Sequence, residues 1–379
     1  MSVLAAPAAA DGKAQAGSWP PYAVMLDETS AGIRWKTAAP SRDSLTLSGG
    51  EPGEKPGVFA EEAPLRMHSL RIEGLKPGAV YRYGISGTSN AGMEGSLRVP
   101  RQGPESAFFV ISDTQALSIP GTLKMELSRQ RMLVDAIERD PRPADFLVHT
   151  GDLVESGNMV EYDDFFHLIA PLTSRMPVFA VKGNHDDRSE VFEDAFAFRF
   201  SEKSYGTNWH HFHTENALFV FLNLNFNSIK QATDTKQWLG ITLEKFQDRK
   251  WKIVFTHQPI YSNVEQDMNT PFRSLLEPLF TRYGVDVVIS GHHHAYQRIA
   301  RNGIMYIVSG GGGPVGYSKL GKSYMEGTLR TAERTIHYLY GTVEENRFVL
   351  EVCGVGRERK KDNVERLDGQ IDRFELTKP

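Results

Sequence analysis

The sequence predicts an α/β layered domain preceded by a small all-β sandwich. Three observations carry this reading. Short alternating strands separated by turn residues run to about residue 102. After the linker "RQGPES" the texture changes to apolar strands alternating with amphipathic helical segments. The later strands then end, one after another, in metal-ligand residue types. At 379 residues, with 40% hydrophobic and 24% charged side chains, the chain is long enough for two or so domains with a large core.

Residues 1–18, "MSVLAAPAAADGKAQAGS", have the small-residue character of the end of an export signal without a basic start or a full apolar core. They are expected to form a disordered leader, and with the domain layout they point to a periplasmic or secreted location. Residues 19–102 hold the segments "AGIRWKTA", "DSLTLSGG", "MHSLRIEGLKPGAVYRYGISGT" and "GSLRVP", the pattern of a β-sandwich with Trp35 as core anchor. Tyr81, following the Leu75-Lys76-Pro77-Gly78 turn, resembles the tyrosine corner of a fibronectin type III or immunoglobulin-like domain.

The third stretch, 103–356, is expected to be the catalytic domain. In "TLKMELSRQRMLVDAIERD", Leu123, Leu127, Val134 and Ile137 fall on one helical face. In layered α/β folds ligands gather at the carboxyl ends of strands, so the strand ends decide the function. "AFFVIS" ends in Asp113-Thr114-Gln115, "DFLVHT" in Gly151-Asp152, and "PVFAVK" in Gly183-Asn184-His185-Asp186. "WKIVFT" ends in His257 and "VDVVIS" in Gly291-His292-His293-His294. Taken singly, an Asp after a strand is a helix cap, a Gly-Asn a turn and a buried His a hydrogen-bonded core residue. Five such ends in succession need a common cause, and a metal site supplies it.

These motifs resemble the calcineurin-like metallophosphoesterase family, over roughly Ser106 to Val355. The resemblance implies a β-sandwich flanked by helices with two metal ions at the strand ends, and the N-terminal sandwich resembles the layout of purple acid phosphatases. Carried over by position, it implies one ion on Asp113, Gln115 and His294, a second on Asn184, His257 and His292, and Asp152 bridging both. Two cations about 3.5–4 Å apart hold a bridging hydroxide as nucleophile and neutralise the phosphoryl oxygens. His185 would protonate the leaving alkoxide, with Asp186 placed to orient it. His293 is expected to pack or hydrogen-bond rather than ligate.

Two residues depart from the family pattern. Gln115 stands where most members have His; an amide oxygen there tilts the choice among Mn, Fe and Zn toward Mn or Fe. Glu155 stands where purple acid phosphatases have the tyrosine that binds ferric iron, which argues against a tyrosinate centre.

The remaining features carry less. "SGGGGPVGYSKLGK" lacks the ending of a phosphate loop and is read as glycines that let backbone approach the site. His210, His211 and His213 are expected at a surface or the cleft rim. Tyr261 and Tyr296 are candidate substrate contacts, with packing as the default. Cys353, the single cysteine, is read as a small hydrophobe. The charged segment 357–379 is expected to be solvated, with a final strand at "DRFELT". A balance of 43 basic and 47 acidic side chains gives no footprint for nucleic acid, and no apolar run reaches the roughly 18 residues of a membrane span.

The expected function is a binuclear metal-dependent phosphoesterase acting on a small phosphate ester by attack of a metal-bridging hydroxide, with monoesters slightly preferred. Two alternatives stay open. One is a phosphodiesterase for cyclic nucleotides or other small diesters, the other a metal-binding protein-interaction scaffold.

Overall fold

The computed structural model describes residues 17–50, 57–87, 93–116, 123–196, 209–264, 271–314, 316–360 and 363–379. The leader expected over 1–18 lies outside these residues up to position 16, and so do the side chains of Leu123 and Leu127.

The first module contains β1 (Trp19–Met25), β2 (Ala31–Ser41), β3 (Ser44–Gly49), β4 (Gly57–Ala60), β5 (Leu65–Ile72), β6 (Val80–Ser86) and β7 (Met93–Arg98). They form two antiparallel sheets, ordered β1-β2-β5 and β4-β3-β6-β7. One face of β6 is solvated, so Tyr81, Tyr83 and Ile85 point inward and alternate with exposed or half-buried residues. Trp35 is fully buried, stacks on His68 at 4.8 Å and donates its indole N–H to Asp43 at 2.9 Å. The Tyr81 hydroxyl accepts the Lys76 N–H at 3.1 Å and fastens the turn before β6 to the strand.

The second part begins with β8 (Ser106–Ile111), α1 (Leu123–Arg139), β9 (Phe146–His149), α2 (Met159–Thr173), β10 (Val178–Ala180) and α3 (Val191–Phe196). It continues with β11 (Trp209–His213), β12 (Ala217–Leu222), α4 (Ile229–Lys245), β13 (Trp251–Thr256), α5 (Pro271–Tyr283) and β14 (Val287–Ser290). The chain ends with β15 (Ala295–Arg301), β16 (Ile304–Ser309), β17 (Thr328–Glu333), β18 (Thr335–Val343), β19 (Arg347–Lys360) and β20 (Asn363–Thr377). Six strands run in the order β10-β9-β8-β18-β19-β20, seven in the order β11-β12-β13-β14-β16-β15-β17.

Strands β8, β12 and β13 are buried at every position, because each sheet is covered on both faces. Phe108, Phe146, Phe179, Phe219, Phe221 and Phe255 fill the space between the sheets, with Phe108 edge-on to Phe219 at 5.6 Å. Leu133, Val134, Ile137 and the α2 side chains Phe165, Phe166 and Ile169 cover the outside of the first sheet. Trp238, Leu239, Leu276 and Phe280 cover the outside of the second. The layers are therefore helix, sheet, sheet, helix. The pairs β8/β9 and β9/β10 are parallel in one sheet, and β12/β13 and β13/β14 are parallel in the other.

The two modules share a core. Trp19 and Tyr22 of β1 stack on Phe166 of α2 at 4.3 and 4.5 Å. The Tyr22 hydroxyl and the Arg34 guanidinium both donate to the Ala195 carbonyl at the end of α3, at 2.8 and 2.7 Å. A cation at a helix C-terminus also faces the negative end of the helix dipole.

The charged tail differs from expectation. Its strand spans Asn363–Thr377 rather than the last few residues and pairs with β19 along its length. Its charge suits a solvent-facing edge strand, where charged side chains discourage edge-to-edge pairing.

Candidate metal centre

Each candidate ligand follows a parallel strand, and three of them turn sharply out of it. Asp113, Asp152 and His292 have φ of 55°, 54° and 68°, a left-handed conformation that non-glycine residues seldom adopt. It is sustained here by surrounding hydrogen bonds, and it turns the side chains toward one space. The glycines before the ligands let the loops stack. A Cβ at Gly183 would lie 2.1 Å from the Asp152 backbone nitrogen, and one at Gly291 would lie 2.1 Å from Ser112 Oγ.

One group joins the two sheets. Asn184 Oδ1 lies 3.1 Å from His257 Nε2 and 2.9 Å from His292 Nδ1, and His257 Nε2 lies 3.2 Å from Asp152 Oδ1. The other ring nitrogen of His257 is 2.9 Å from the Thr150 carbonyl, which can only accept, so it carries a proton. In the neutral ring Nε2 is then a lone pair facing two oxygen lone pairs. Ligand atoms of Asp152, His257 and His292 all lie within 4.8 Å of one another. Two imidazoles, a carboxylate and an amide oxygen brought this close together fit a cation.

The second group is Asp113, Gln115 and His294. Asp113 is fully buried and accepts the His292 N–H at 3.0 Å and the Ser112 hydroxyl. Its Oδ1 is 3.5 Å from His294 Nε2, and His294 Nδ1 is occupied by the Gly316 carbonyl at 2.7 Å. The Gln115 amide is satisfied when its NH2 donates to the main-chain carbonyls of Asp113 and Asp152, both at 3.2 Å. Its oxygen then faces His294 Nε2 at 3.2 Å. In that orientation Gln115 presents an oxygen lone pair to the same space as Asp113 and His294. Asp152 lies between the groups, with one oxygen toward His257 and the other 3.4 Å from the Gln115 amide nitrogen in the opposite amide orientation.

Burial works against ionisation of Asp113, yet the His294 hydrogen bond and charge hold it below the usual carboxylate range. Burial likewise opposes the charge on Asp152, and His257 and His185 outweigh it. His257 is disfavoured as a cation by burial, but Asp152 lifts it to about 9. Burial, with His257 beside it, lowers His292 to about 4 and keeps its ring available as a neutral ligand.

His185 sits beside the centre with Nε2 at 3.9 Å from Asp152 Oδ2. The structure corrects the role expected of Asp186. That carboxylate is fully buried in a 3₁₀ turn over Asp186–Arg188 and accepts from Gly183 N–H at 2.9 Å, Leu153 N–H at 3.1 Å and the Tyr162 hydroxyl at 3.1 Å. It fastens the Asp152 loop to the Asn184 loop. His185 is oriented instead by Glu155, whose carbonyl and carboxylate both face its Nδ1.

His293 packs, with Nδ1 2.7 Å from Ser262 Oγ. Tyr261 and Tyr296 are buried and donate to Glu277 and Asp372, at 2.7 and 2.8 Å, so they are core residues and not substrate contacts. His210, His211 and His213 lie on β11 at the edge of the seven-stranded sheet, where His213 pairs with Glu28 at 2.8 Å. Cys353 is half-buried and accepts an N–H from Arg142 at 3.2 Å. The glycine run behaves as expected of it: a Cβ at Gly312 would lie 2.0 Å from the Ser112 carbonyl, directly before Asp113. Among the described residues no helix is long and apolar enough to cross a membrane.

Residues 107–296 match the family model of calcineurin-like phosphoesterases. The chain is 24% identical over 290 residues to purple acid phosphatase 18 of Arabidopsis thaliana, a match covering 71% of this chain and 63% of that protein. It is 25% identical over 308 residues to acid phosphatase type 7 of Mus musculus, covering 70% and 67%. The fold is similar to that of a purple acid phosphatase from yellow lupin seeds, with a TM-score of 0.75, 16% identity, and 95% of this chain and 74% of that one covered.

Proposed function

This chain belongs to the calcineurin-like phosphoesterase family, and from that premise we propose that it is a binuclear metal-dependent phosphoesterase. One observation carries the reading: ligand-type atoms of Asn184, His257, His292 and Asp152 converge on one space from two sheets. Asn184, His257 and His292 would hold one ion, Asp113, Gln115 and His294 the other, and Asp152 would be shared. When bound, such a pair supplies an activated water and neutralises charge on the phosphoryl oxygens. Three oxygen donors and one imidazole around the second ion favour Mn or Fe over Zn.

His185 is the proton donor in this scheme. Its Nδ1–H is committed to Glu155, which leaves Nε2, on the Asp152 side, for the leaving-group oxygen. The hydrogen bond that His185 donates to Glu155 outweighs burial and lifts His185 to about 9, so the ring is charged at neutral pH. Glu155 occupies the position of the purple enzymes' tyrosine, and the proposed centre is accordingly colourless. The relatives are named as acid phosphatases, which supports monoesters as the preferred class. The strand order of the first module and the Tyr81–Lys76 bond support a fibronectin type III-like reading of it.

The test is hydrolysis of a chromogenic phosphomonoester and a chromogenic phosphodiester by chelator-stripped protein resupplied with Mn²⁺, Fe²⁺ or Zn²⁺. Metal-dependent turnover that Asp152→Asn abolishes is expected, faster on the monoester. Protein that takes up two ions and turns over neither ester would refute the enzymatic reading.

A further inference from the structure

We propose that Asn225 is a positioning residue that fixes the Asn184–His257–His292 half of the centre across the two sheets before any ion arrives. The inference rests on the binuclear reading above. That half-site takes Asn184 from the loop after β10, in the six-stranded sheet, and His257 and His292 from the loops after β13 and β14, in the seven-stranded sheet. Something other than the ion has to hold the two layers in register if the site is to exist beforehand.

Asn225 does this with one side chain. It lies three residues past β12, and its own N–H donates to Asn223 Oδ1 at 2.8 Å, an Asx turn that sets the direction of the side chain. Its Nδ2 donates to the carbonyls of Gly183, at 2.7 Å, and Lys182, at 3.3 Å, the two residues before Asn184. Its Oδ1 accepts from Gln258 Nε2, on the residue directly after His257. The neighbours of two proposed ligands, on different sheets, are thus tied to one amide. None of these bonds uses a ligand side chain, so all of them persist without metal. The chemistry requires an amide: an Asp would set a carboxylate against two carbonyls, and an aliphatic residue would leave three polar groups unpaired.

The test uses the full chain, stripped with chelator and titrated with Mn²⁺ while free Mn²⁺ is counted by electron paramagnetic resonance. Wild-type protein is expected to take up two ions. Asn225→Ala should weaken one site roughly 10- to 100-fold, the range for outer partners of metal ligands, and leave the other unchanged. Asn225→Asp carries the same expectation and replaces the alanine variant if that one does not fold. Two unchanged sites, or two sites weakened together, would overturn the proposal. Wild-type protein that binds a single ion would sink the binuclear reading alone. The Asn225 proposal then stands or falls on whether the variant weakens that one site.

Discussion

Glu155 Oε1 lies 3.2 Å from His185 Nδ1, and the main-chain carbonyl of the same glutamate lies 2.8 Å from the same nitrogen. One residue therefore fixes both the direction and the protonation of the ring. Arg188 leans on the same carbonyl at 2.8 Å, which anchors the glutamate in turn.

Neutralising Glu155 should therefore hurt proton donation selectively. Glu155→Gln is expected to lower kcat on an alkyl phosphate, whose leaving group needs a proton, by roughly 10²-fold. The rate on p-nitrophenyl phosphate, whose leaving group does not, should change only slightly. An equal loss on both esters would rule out the pair as the proton donor.

Asp186 makes a different prediction. Asp186→Asn puts an NH2 group against backbone N–H donors and should cost roughly 3 kcal/mol of stability. Denaturant unfolding of the metal-free protein measures it. A variant of unchanged stability with a lost kcat would restore the orienting role.

The histidines of β11 predict an acid limb of stability. Burial holds His210 at about 3 and His211 at about 4 in the folded chain, below the ordinary value of about 6.5. The folded state binds fewer protons than the unfolded one between those values. Stability is therefore complete above about pH 6.5 and declines toward pH 4, by roughly 3 kcal/mol for each ring. The double variant His210→Phe, His211→Phe keeps the ring packing against Phe179, Phe221 and Phe246. It should flatten that limb in melts taken across the range, and an unaltered pH slope would contradict the assignment.

In the proposed centre Gln115 sets the metal preference of its half-site. Gln115→His exchanges an oxygen donor for an imidazole and should raise Zn²⁺ affinity relative to Mn²⁺. Competition between the two ions for stripped protein reads this directly, and an unchanged ratio would place Gln115 outside the ligand set.

The convergence of the candidate ligand positions was legible because the strands bearing them are largely buried on both faces. An apolar run such as "WKIVFT" announces its own end, and the polar residue that follows stands out. Asp186 misled because an acid beside a histidine is a familiar orienting pair, and only the 3₁₀ turn shows its carboxylate aimed at backbone N–H groups. Glu155 and Asn225 act through main-chain carbonyls, which leave no trace in side-chain spacing. The signal for Asn225 was present all the same: "ALFVFL" is another buried strand, and it ends in Asn223 and Asn225. The tail hid the first part of its strand, before "DRFELT", because a solvent-facing edge has no apolar period to display.

The aromatic contact between the modules has a consequence during synthesis. Trp19 and its partner Asp163 are 144 residues apart in the chain. At ordinary translation speeds, Trp19 and Tyr22 leave the ribosome on the order of ten seconds before α2 exists to cover them. For that interval the nascent sandwich displays a sticky aromatic face. Its yield in the cell should therefore depend on chaperone supply more than the stability of the finished protein would imply.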